Sequence, residues 1–196
     1  MAPDVSGFDP AQDVVLDDDS LRVIAHPLRV RLLSELRLHG AATASQLAQR
    51  LGQSSGATSY HLRQLATRGF VIEEPDRGTR RERWWRAAHR TTRFDMALDD
   101  GNRAAGGEYL RAVARNYSNR LLRFTDEVES VPDVYGPDWA TAFTLSDWRL
   151  DLTAEGAARL QAEIFELMRR YRDEPPGEGA RSVVAQVQLI PALTAP

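Results

Sequence analysis

The clearest pattern of apolar and polar positions lies in residues 55–68. Leu62 and Leu65 recur at helical spacing, with Thr58 one turn earlier, so the segment predicts an amphipathic helix with one buried face. Gly69 is expected to end this helix in the left-handed conformation that glycine adopts easily. The remaining positions of the helix therefore form an outward face.

That outward face carries hydroxyl, amide, phenol and guanidinium groups but no carboxylate. With Thr58 and Leu62 pointing inward, a rotation of about 100° per residue places the other side chains on the opposite side. They are Ser55, Gly56, Ser59, Tyr60, Arg63, Gln64 and Thr67. Ordinary surface helices carry Glu and Asp as well as Arg, whereas these groups can hydrogen-bond base edges and phosphates without repulsion.

Three shorter helices are predicted before this one. The first buries Leu21, Ile24 and Ala25 behind a cap at Asp18, Asp19 or Ser20. The second runs from about residue 28 to 38, and Gly40 ends it. After a link at Ala41 and Ala42, the third begins at Thr43 and ends at Gly52, and Gln53 and Ser54 lead into the helix at 55–68. Two short helices joined by a turn that contains glycine predict a helix-turn-helix.

A β-hairpin is predicted after Gly69. Residues 70–74 are β-prone, residues 75–79 have strong turn chemistry, and an extended pattern resumes over 80–87. The hairpin carries five arginines, Arg77, Arg80, Arg81, Arg83 and Arg86, against the two acids Asp76 and Glu82. A solvated hairpin is the alternative, but this excess favours contact with phosphates.

Charge is segregated along the chain, although the net charge is only −3. Residues 1–20 carry −6, residues 21–93 carry +9 and residues 94–196 carry −6. A basic segment between two acidic ones indicates a domain that binds a polyanion within an otherwise acidic protein.

Composition excludes several classes of protein. Cysteine is absent, which removes disulfides, thiolate catalysis and Cys-based metal sites. The sequence has no long apolar run and no signal-peptide pattern, so a cytoplasmic protein is expected. It also lacks a phosphate-binding glycine loop, a nucleophile elbow and a zinc-protease motif, so we expect neither an enzyme nor a cofactor.

Two stretches resemble the arsenic-repressor (ArsR) family of winged-helix regulators. Residues 21–36, LRVIAHPLRVRLLSEL, are similar to the opening helices of that family, and residues 47–71 are similar to its helix-turn-helix. The His-Pro-x-Arg element, the Ser-x-His-Leu element and the glycine before the wing occur together. The resemblance covers roughly residues 20–90 and implies a winged-helix fold, a homodimer and binding to double-stranded operator DNA.

Metal sensing, which the resemblance implies for typical members, is not expected here. Those members use Cys, His and acidic ligands, and this chain has no Cys and no close spacing among its four His residues. His26 and His61 lie in the structural motifs of the family, where a hydrogen-bonded packing role is the better interpretation. A carboxylate site between subunits is the remaining alternative.

A long helix is predicted from about residue 108 to 131. Apolar residues alternate at spacings of four and three, which is a heptad pattern over three repeats. They are Leu110, Ala114, Tyr117, Leu121, Phe124, Val128 and Val131. The pattern fits packing on the chain's own second domain, but we favour dimerisation through Leu110, Tyr117, Leu121, Phe124 and Val128.

The last third predicts a β-α-β unit. Residues 143–152 alternate with a phase slip at Ser146 and Asp147, a helix runs from Thr153 to about Arg172, and residues 183–190 alternate again. This pattern favours a small sheet with a helix on one face.

The chain is therefore expected to be mostly α with small β, in four segments. These are a mostly flexible acidic tail at 1–19, a winged helix-turn-helix at 20–93, a linker and dimerisation helix at 94–131, and a small α/β domain at 132–196.

The interpretation is a bacterial transcriptional regulator, a homodimer with helix 55–68 in the major groove and the wing at 75–86 on the backbone. The DNA contacts are assigned to Gln53, Ser54, Ser55, Ser59, Tyr60, Arg63, Arg77, Arg80, Arg81 and Arg83. Two alternatives remain, a winged-helix module that binds proteins and a regulator with a small-molecule effector in its C-terminal domain.

Overall fold

The computed structural model of the chain describes residues 9, 12–78, 82–94 and 101–192. The chain divides into two compact units, with a boundary between Thr125 and Asp126. The unit that spans residues 9–125 is called the winged unit below, and the described residues from 126 to 192 are called the C-terminal unit. This boundary lies a few residues before the one expected after residue 131.

The first two helices of the winged unit are α1 (Asp18–Ile24) and α2 (Pro27–His39). Asp17 caps α1, because its carboxylate accepts a hydrogen bond from the amide of Ser20, and hydrogen bonding to Ser20 lowers the pKa of Asp17. The cap is one residue earlier than expected. The predicted inward side chains of both helices are buried, and they are Leu21, Ile24, Ala25, Leu28, Leu32, Leu33 and Leu36.

The helix-turn-helix consists of α3 (Ala44–Leu51) and α4 (Ser55–Ala66), as the sequence predicts. Thr43 and Gln46 form a capping box in which each side chain accepts a hydrogen bond from the other residue's amide. Gly52 ends α3 at φ 62°, a conformation in which a Cβ would cost energy. Local signals therefore suffice to define the turn between the two helices.

Five strands lie in the described part of the winged unit: β1 (Asp13–Val15), β2 (Ala42–Thr43), β3 (Val71–Glu73), β4 (Trp84–Ala87) and β5 (Thr91–Arg93). An antiparallel sheet with the order β2-β4-β3 completes the winged helix. The expectation of a plain link at Ala41 and Ala42 was wrong, because Ala42 pairs with Trp85 in β4. The hairpin itself is formed by β3 and β4, with Ile72 opposite Arg86.

A second sheet joins the acidic tail to the end of the segment predicted as the winged helix-turn-helix. β1 pairs with β5 in parallel, with Val14 opposite Thr92. Neither strand was predicted, since residues 1–19 were expected to be mostly flexible and the wing was expected to end at residue 86. Residues 13–15 of the tail are therefore ordered.

Arg37 connects α2 to this second sheet. Its guanidinium donates hydrogen bonds to the carbonyl oxygen of His89 (2.9 Å) and to the hydroxyl of Thr92 (2.8 Å). Burial lowers the pKa of Arg37 to about 10, and the group remains charged at neutral pH. The side chain thus holds the strand after the wing against the helical core.

The long helix is α5 (Arg103–Glu127), which begins about five residues earlier than expected and ends four residues earlier. Its buried residues are Gly106, Tyr109 and Ala112, so the face that packs within the winged unit differs from the heptad stripe. Burial raises the pKa of Tyr109 to about 12.

Of the five proposed dimerisation residues, Leu110 and Tyr117 are half-buried, and Leu121 and Phe124 are 38% and 37% exposed. Val128 is half-buried and lies beyond α5, in a 3-10 turn at Val128–Ser130. The helical heptad therefore ends before Val128.

The C-terminal unit contains two α-helices, α6 (Val131–Tyr135) and α7 (Ala154–Asp173), and a 3-10 turn at Pro137–Thr141. Thr153 caps α7 as expected, since its hydroxyl accepts a hydrogen bond from the amide of Gly156 (3.1 Å). The prediction of two strands was wrong: residues 143–152 and 183–190 are assigned to no strand. Alternation of apolar and polar residues shows which side chains share a face, whereas a strand also requires a neighbouring segment that hydrogen-bonds to its backbone.

The mostly helical fold with small sheets is confirmed, with a winged helix-turn-helix, a long helix and a C-terminal helix. Among the described residues, the hydrophobic core lies in the winged unit. None of the helices in the described ranges is long and apolar enough to cross a membrane.

Candidate nucleic-acid interface

The helix α4 is anchored along one face. Thr58, Leu62 and Leu65 are fully buried, in agreement with the predicted inward direction. At its end, the amide of Gly69 donates to the carbonyl of Ala66, and the amide of Phe70 donates to that of Leu65 (both 3.0 Å). This pair of bonds, with Gly69 at φ 68°, is a Schellman motif that fixes where the helix stops.

The outward face of α4 is accessible where the sequence predicts it. Ser55 and Arg63 are exposed, Tyr60 is 50% exposed and Ser59 is half-buried. The ring of Tyr60 stands edge-on to that of His61, with 5.2 Å between the centroids. A surface of phenol, hydroxyl and guanidinium groups therefore projects from a helix whose other side is locked in the core.

The two residues at the helix entrance are also exposed, but both make local bonds. The hydroxyl of Ser54 accepts a hydrogen bond from the amide of Ala57 (3.2 Å), which makes Ser54 the N-cap of α4. The side-chain amide of Gln53 donates to the carbonyl of Leu51 at 3.5 Å. Ser54 retains its hydroxyl proton as a donor, and the long Gln53 contact is readily exchanged.

In the wing, the structure brings arginines and carboxylates together. Arg83 lies 3.6 Å from Glu73, and Arg86 and Arg77 lie 3.3 Å and 3.4 Å from Glu74. Sequence reasoning weighed the wing arginines against Asp76 and Glu82 only, and it missed the two acids that strand pairing places across the hairpin. Pairs this exposed contribute little to stability, so a phosphate can displace the carboxylates.

The tip of the hairpin is built around Trp84. The guanidinium of Arg77 stacks 4.4 Å from the centroid of an indole ring of Trp84. Gly78, at φ 87°, approaches the indole so closely that a Cβ there would overlap it. Arg77 therefore has a structural role besides any contact with DNA. The other predicted contacts, Arg80 and Arg81, lie outside the described residues.

Three side chains connect α4 to the start of α2. The rings of His26 and His61 lie 4.4 Å apart between centroids, and Nε of Arg29 donates to Nδ1 of His61 (3.3 Å). Nδ1 of His26 accepts from the amide of Leu28 (3.1 Å) and caps α2. The predicted hydrogen-bonded packing role of both histidines is confirmed. Sequence reasoning missed Arg29, whose contact spans 32 residues.

A groove of about 490 Å³ adjoins this cluster where α1, the start of α2 and α5 meet. Its ionisable lining consists of Arg22, His26, Arg29, Glu108, Arg111 and Arg115. Four guanidinium groups face one carboxylate there, so the groove is electropositive. It lies in the winged unit, whereas the alternative of a small-molecule effector placed its site in the C-terminal domain.

Comparison with protein families finds a match within the winged unit. Residues 26–82 match the MarR family. The match covers α2, the helix-turn-helix and the first part of the wing, which is less than a third of the chain. It supports a DNA-binding transcriptional regulator with a winged helix-turn-helix, and it fits the expectation of a regulator rather than an enzyme.

The match does not support the specific likeness to the arsenic-repressor family. That resemblance rested on the His-Pro-x-Arg element, the Ser-x-His-Leu element and the glycine before the wing. In the structure His26, His61 and Gly69 cap and pack helices, and such roles do not separate one winged-helix family from another. No curated protein matches the chain.

Proposed function

We propose that the protein is a homodimeric, sequence-specific transcriptional regulator whose α4 enters the major groove of DNA. The observation that carries this proposal is the carboxylate-free outward face of α4, fixed by buried Thr58, Leu62 and Leu65 on its other side. Arg63 and Tyr60 meet base edges or phosphates, and Ser55 and Ser59 hydrogen-bond beside them. Gln53 and Ser54 contact the backbone at the helix entrance.

The wing arginines, in this proposal, hold the adjacent phosphate backbone. Arg83 exchanges its exposed partner Glu73 for a phosphate, and Arg77 exchanges its half-buried partner Glu74. Arg80 and Arg81 belong to the same hairpin by sequence. Because phosphate contacts carry no sequence information, the wing supplies affinity for DNA and α4 supplies the preference for particular base sequences.

A two-fold dimer is supported by the stripe on α5. Leu121 and Phe124 remain more than a third exposed, although α5 packs through a neighbouring face inside the winged unit. Leu110 and Tyr117 continue the same stripe at heptad spacing. A second copy packed there places two α4 helices on half-sites about one helical turn apart.

Titrations of labelled duplexes, selected from genomic fragments bound by the protein, test the DNA contacts. Arg63→Ala is expected to weaken specific binding by about 1–3 kcal/mol and to relax preference. Arg83→Ala is expected to weaken binding to all DNA sequences alike. It is also expected to reduce the slope of log binding constant against log salt concentration by about one. The matched control is Arg159→Ala, an equally exposed arginine of α7.

Unchanged DNA binding by Arg63→Ala and Arg83→Ala contradicts the assignments. Absence of salt-dependent binding to bulk DNA or heparin points instead to a protein-interaction module.

Two neighbouring leucines test the dimer. Leu121 lies on the heptad stripe, and Leu122, which is 61% exposed, lies one position off it. Leu121→Asp is expected to raise the monomer–dimer dissociation constant by about tenfold or more, and Leu122→Asp by much less. Sedimentation over a range of concentrations measures both. Equal effects from both variants contradict the proposed stripe.

A small anionic effector is the second candidate, and the electropositive groove favours it. Because Arg29 both lines the groove and binds His61 of α4, an anion that attracts Arg29 acts on the DNA-reading helix. Thermal shift with a panel of organic anions tests this candidate. Stabilisation that is lost in Arg111→Gln and Arg115→Gln, but kept in Arg123→Gln, supports it. No stabilisation by any anion contradicts it.

A further inference from the structure

The C-terminal unit exposes an unusual amount of apolar surface. No residue of it is buried among those that the structure describes. The most exposed large side chains lie in the two segments flanking α7, and they are Leu145 and Trp148 (76% each), Val183 (71%) and Ile190 (79%). On α7 itself, Leu167, Met168 and Tyr171 are 38–67% exposed.

The summed area of these exposed apolar side chains is comparable to one side of a protein–protein interface. Twelve apolar residues from Leu145 to Ile190 are between 38% and 79% exposed, which amounts to on the order of 1,000 Å². A standard interface buries about 800 Å² per partner. These residues therefore offer enough apolar area for a stable dimer.

The backbone of residues 144–152 and 181–192 forms no ladder with another described segment. These residues belong to no helix or strand, and none of their amides donates to the carbonyl of another described residue. Both segments have alternating sequences and are long enough for strands. Unpaired strand edges are templates for pairing with another chain.

The charges of the two segments are complementary. Residues 143–152 contain Asp147, Arg149 and Asp151 and carry −1, whereas residues 181–192 contain Arg181 and carry +1. Both are otherwise uncharged, so each can lie against the other without burying like charges. Because every copy of the chain contains both segments, two copies related by a two-fold axis satisfy both pairings at once.

We propose that a second copy of this chain completes the C-terminal unit. Segment 143–152 of one protomer pairs with segment 181–192 of its partner, so the two C-terminal units share one sheet. The apolar stripe of α7, which includes Leu167 and Met168, packs on that shared sheet. This inference rests on the homodimer of the proposed function but not on DNA binding, and it adds an interface separate from the α5 stripe.

Hydrogen exchange of the full-length protein, measured by mass spectrometry, tests the pairing directly. Peptides from 143–152 and 181–192 are expected to be protected, and the protection is expected to decrease on dilution through the dimer dissociation constant. Exchange at the unprotected rate at every concentration overturns the proposal. Protection that is independent of concentration also overturns it, because the segments then pair within one chain.

Two substitutions at one exposed polar position separate backbone from side-chain effects. Gln188→Pro removes an amide donor, whereas Gln188→Thr keeps the amide and suits a strand. The proline variant is expected to lose protection in both segments and to raise the dissociation constant by about tenfold, with the threonine variant within about twofold of wild type. Equal values for the two variants contradict backbone pairing, provided that circular dichroism shows α7 intact.

Cross-linking identifies the partner. Because the chain lacks cysteine, Arg149→Cys and Gln186→Cys proteins can be mixed, exchanged and oxidised without background disulfides. A disulfide between the two different proteins supports pairing of two copies. Ser182→Cys and Gln188→Cys are tested in the same way, to find the register of the pairing. No cross-link at any of these positions contradicts it.

Failure of this inference and failure of the proposed function are distinguishable. Leu121→Asp tests the α5 stripe, Gln188→Pro tests the C-terminal pairing, and DNA titration tests operator binding. A protein that binds DNA and dimerises through α5, but whose C-terminal segments exchange freely, overturns only the inference made here.

Discussion

The winged unit and the C-terminal unit carry similar hydrophobic patterns but use them differently. In the winged unit, periodic leucines such as Leu32, Leu47 and Leu62 are fully buried in one core. In the C-terminal unit, equally periodic residues such as Leu150 and Val187 are 53% and 40% exposed. Periodicity therefore states which face of an element is apolar, but the fold, or a partner, must supply the surface that covers it.

The largest expected effect separates these two kinds of leucine. Leu62→Ala removes a fully buried side chain and is expected to lower the free energy of unfolding by about 2–5 kcal/mol. The loss should not depend on protein concentration. Leu150→Ala is the matched control, since any loss there is expected only at concentrations where the protein is dimeric. Urea unfolding at two concentrations measures both. A concentration-dependent loss for Leu62→Ala contradicts the comparison.

The wing tip is the next most sensitive site. Gly78→Ala places a Cβ 2.8 Å from Cδ1 of Trp84 at a positive φ, and a loss of about 2–3 kcal/mol is expected. Gly52→Ala has a similar φ but meets no atom within 4 Å, so only about 1–2 kcal/mol is expected. Urea unfolding monitored by tryptophan fluorescence compares them, and equal losses would show that the indole moves aside freely.

A smaller effect of opposite sign is expected at Thr58. Its hydroxyl oxygen is buried without a hydrogen-bond partner among the described residues. Thr58→Val keeps the shape and removes the unsatisfied group, which should stabilise the winged unit by about 1 kcal/mol. Thr67→Val, whose exposed hydroxyl donates to the carbonyl of Gln64 (2.8 Å), serves as the control. Thermal unfolding measures both, and a destabilised Thr58→Val indicates an internal water bound there.

The smallest effect is a pH dependence from His26 and His61. Burial lowers the pKa of both below 6.5; the charge of Arg29 acts in the same direction, as does that of His26 on His61. The unfolded state therefore binds protons more readily, so this contribution is present above pH 6.5 and is lost as the pH falls below it. Urea unfolding between pH 8 and pH 5 should show a shallower decline for His61→Asn than for wild type. His39→Asn, at the exposed end of α2, is the control and should decline like wild type.

Most of the helix-turn-helix was predictable because its signals are local. The capping box of Thr43 and Gln46 spans three residues, and Gly52 and Gly69 each end a helix beside them. The outward positions of Arg63 and Tyr60 followed from the same helical period. Their contacts with DNA remain predictions, since exposure shows only that the side chains are accessible.

Contacts between distant residues were not predictable in the same way. The hydrogen bond from Arg29 to His61 and the parallel pairing of β1 with β5 join segments that are 32 and almost 80 residues apart. The ion pairs of the wing depend on which residues face each other across the hairpin, so Glu73 and Glu74 were overlooked. Those pairings follow from chain topology, which no local pattern encodes.

The order of residues alone determined where the two helices of the helix-turn-helix begin and end, and which sides of them avoid water. Only tertiary structure decided that the acidic segment adds a strand at residues 13–15, that α5 packs through Gly106, Tyr109 and Ala112, and that residues 143–152 and 183–190 form no strand in the described chain. The physical reason is that a helix satisfies its backbone hydrogen bonds within itself. An extended segment satisfies them only through a second strand, whose position the segment does not specify.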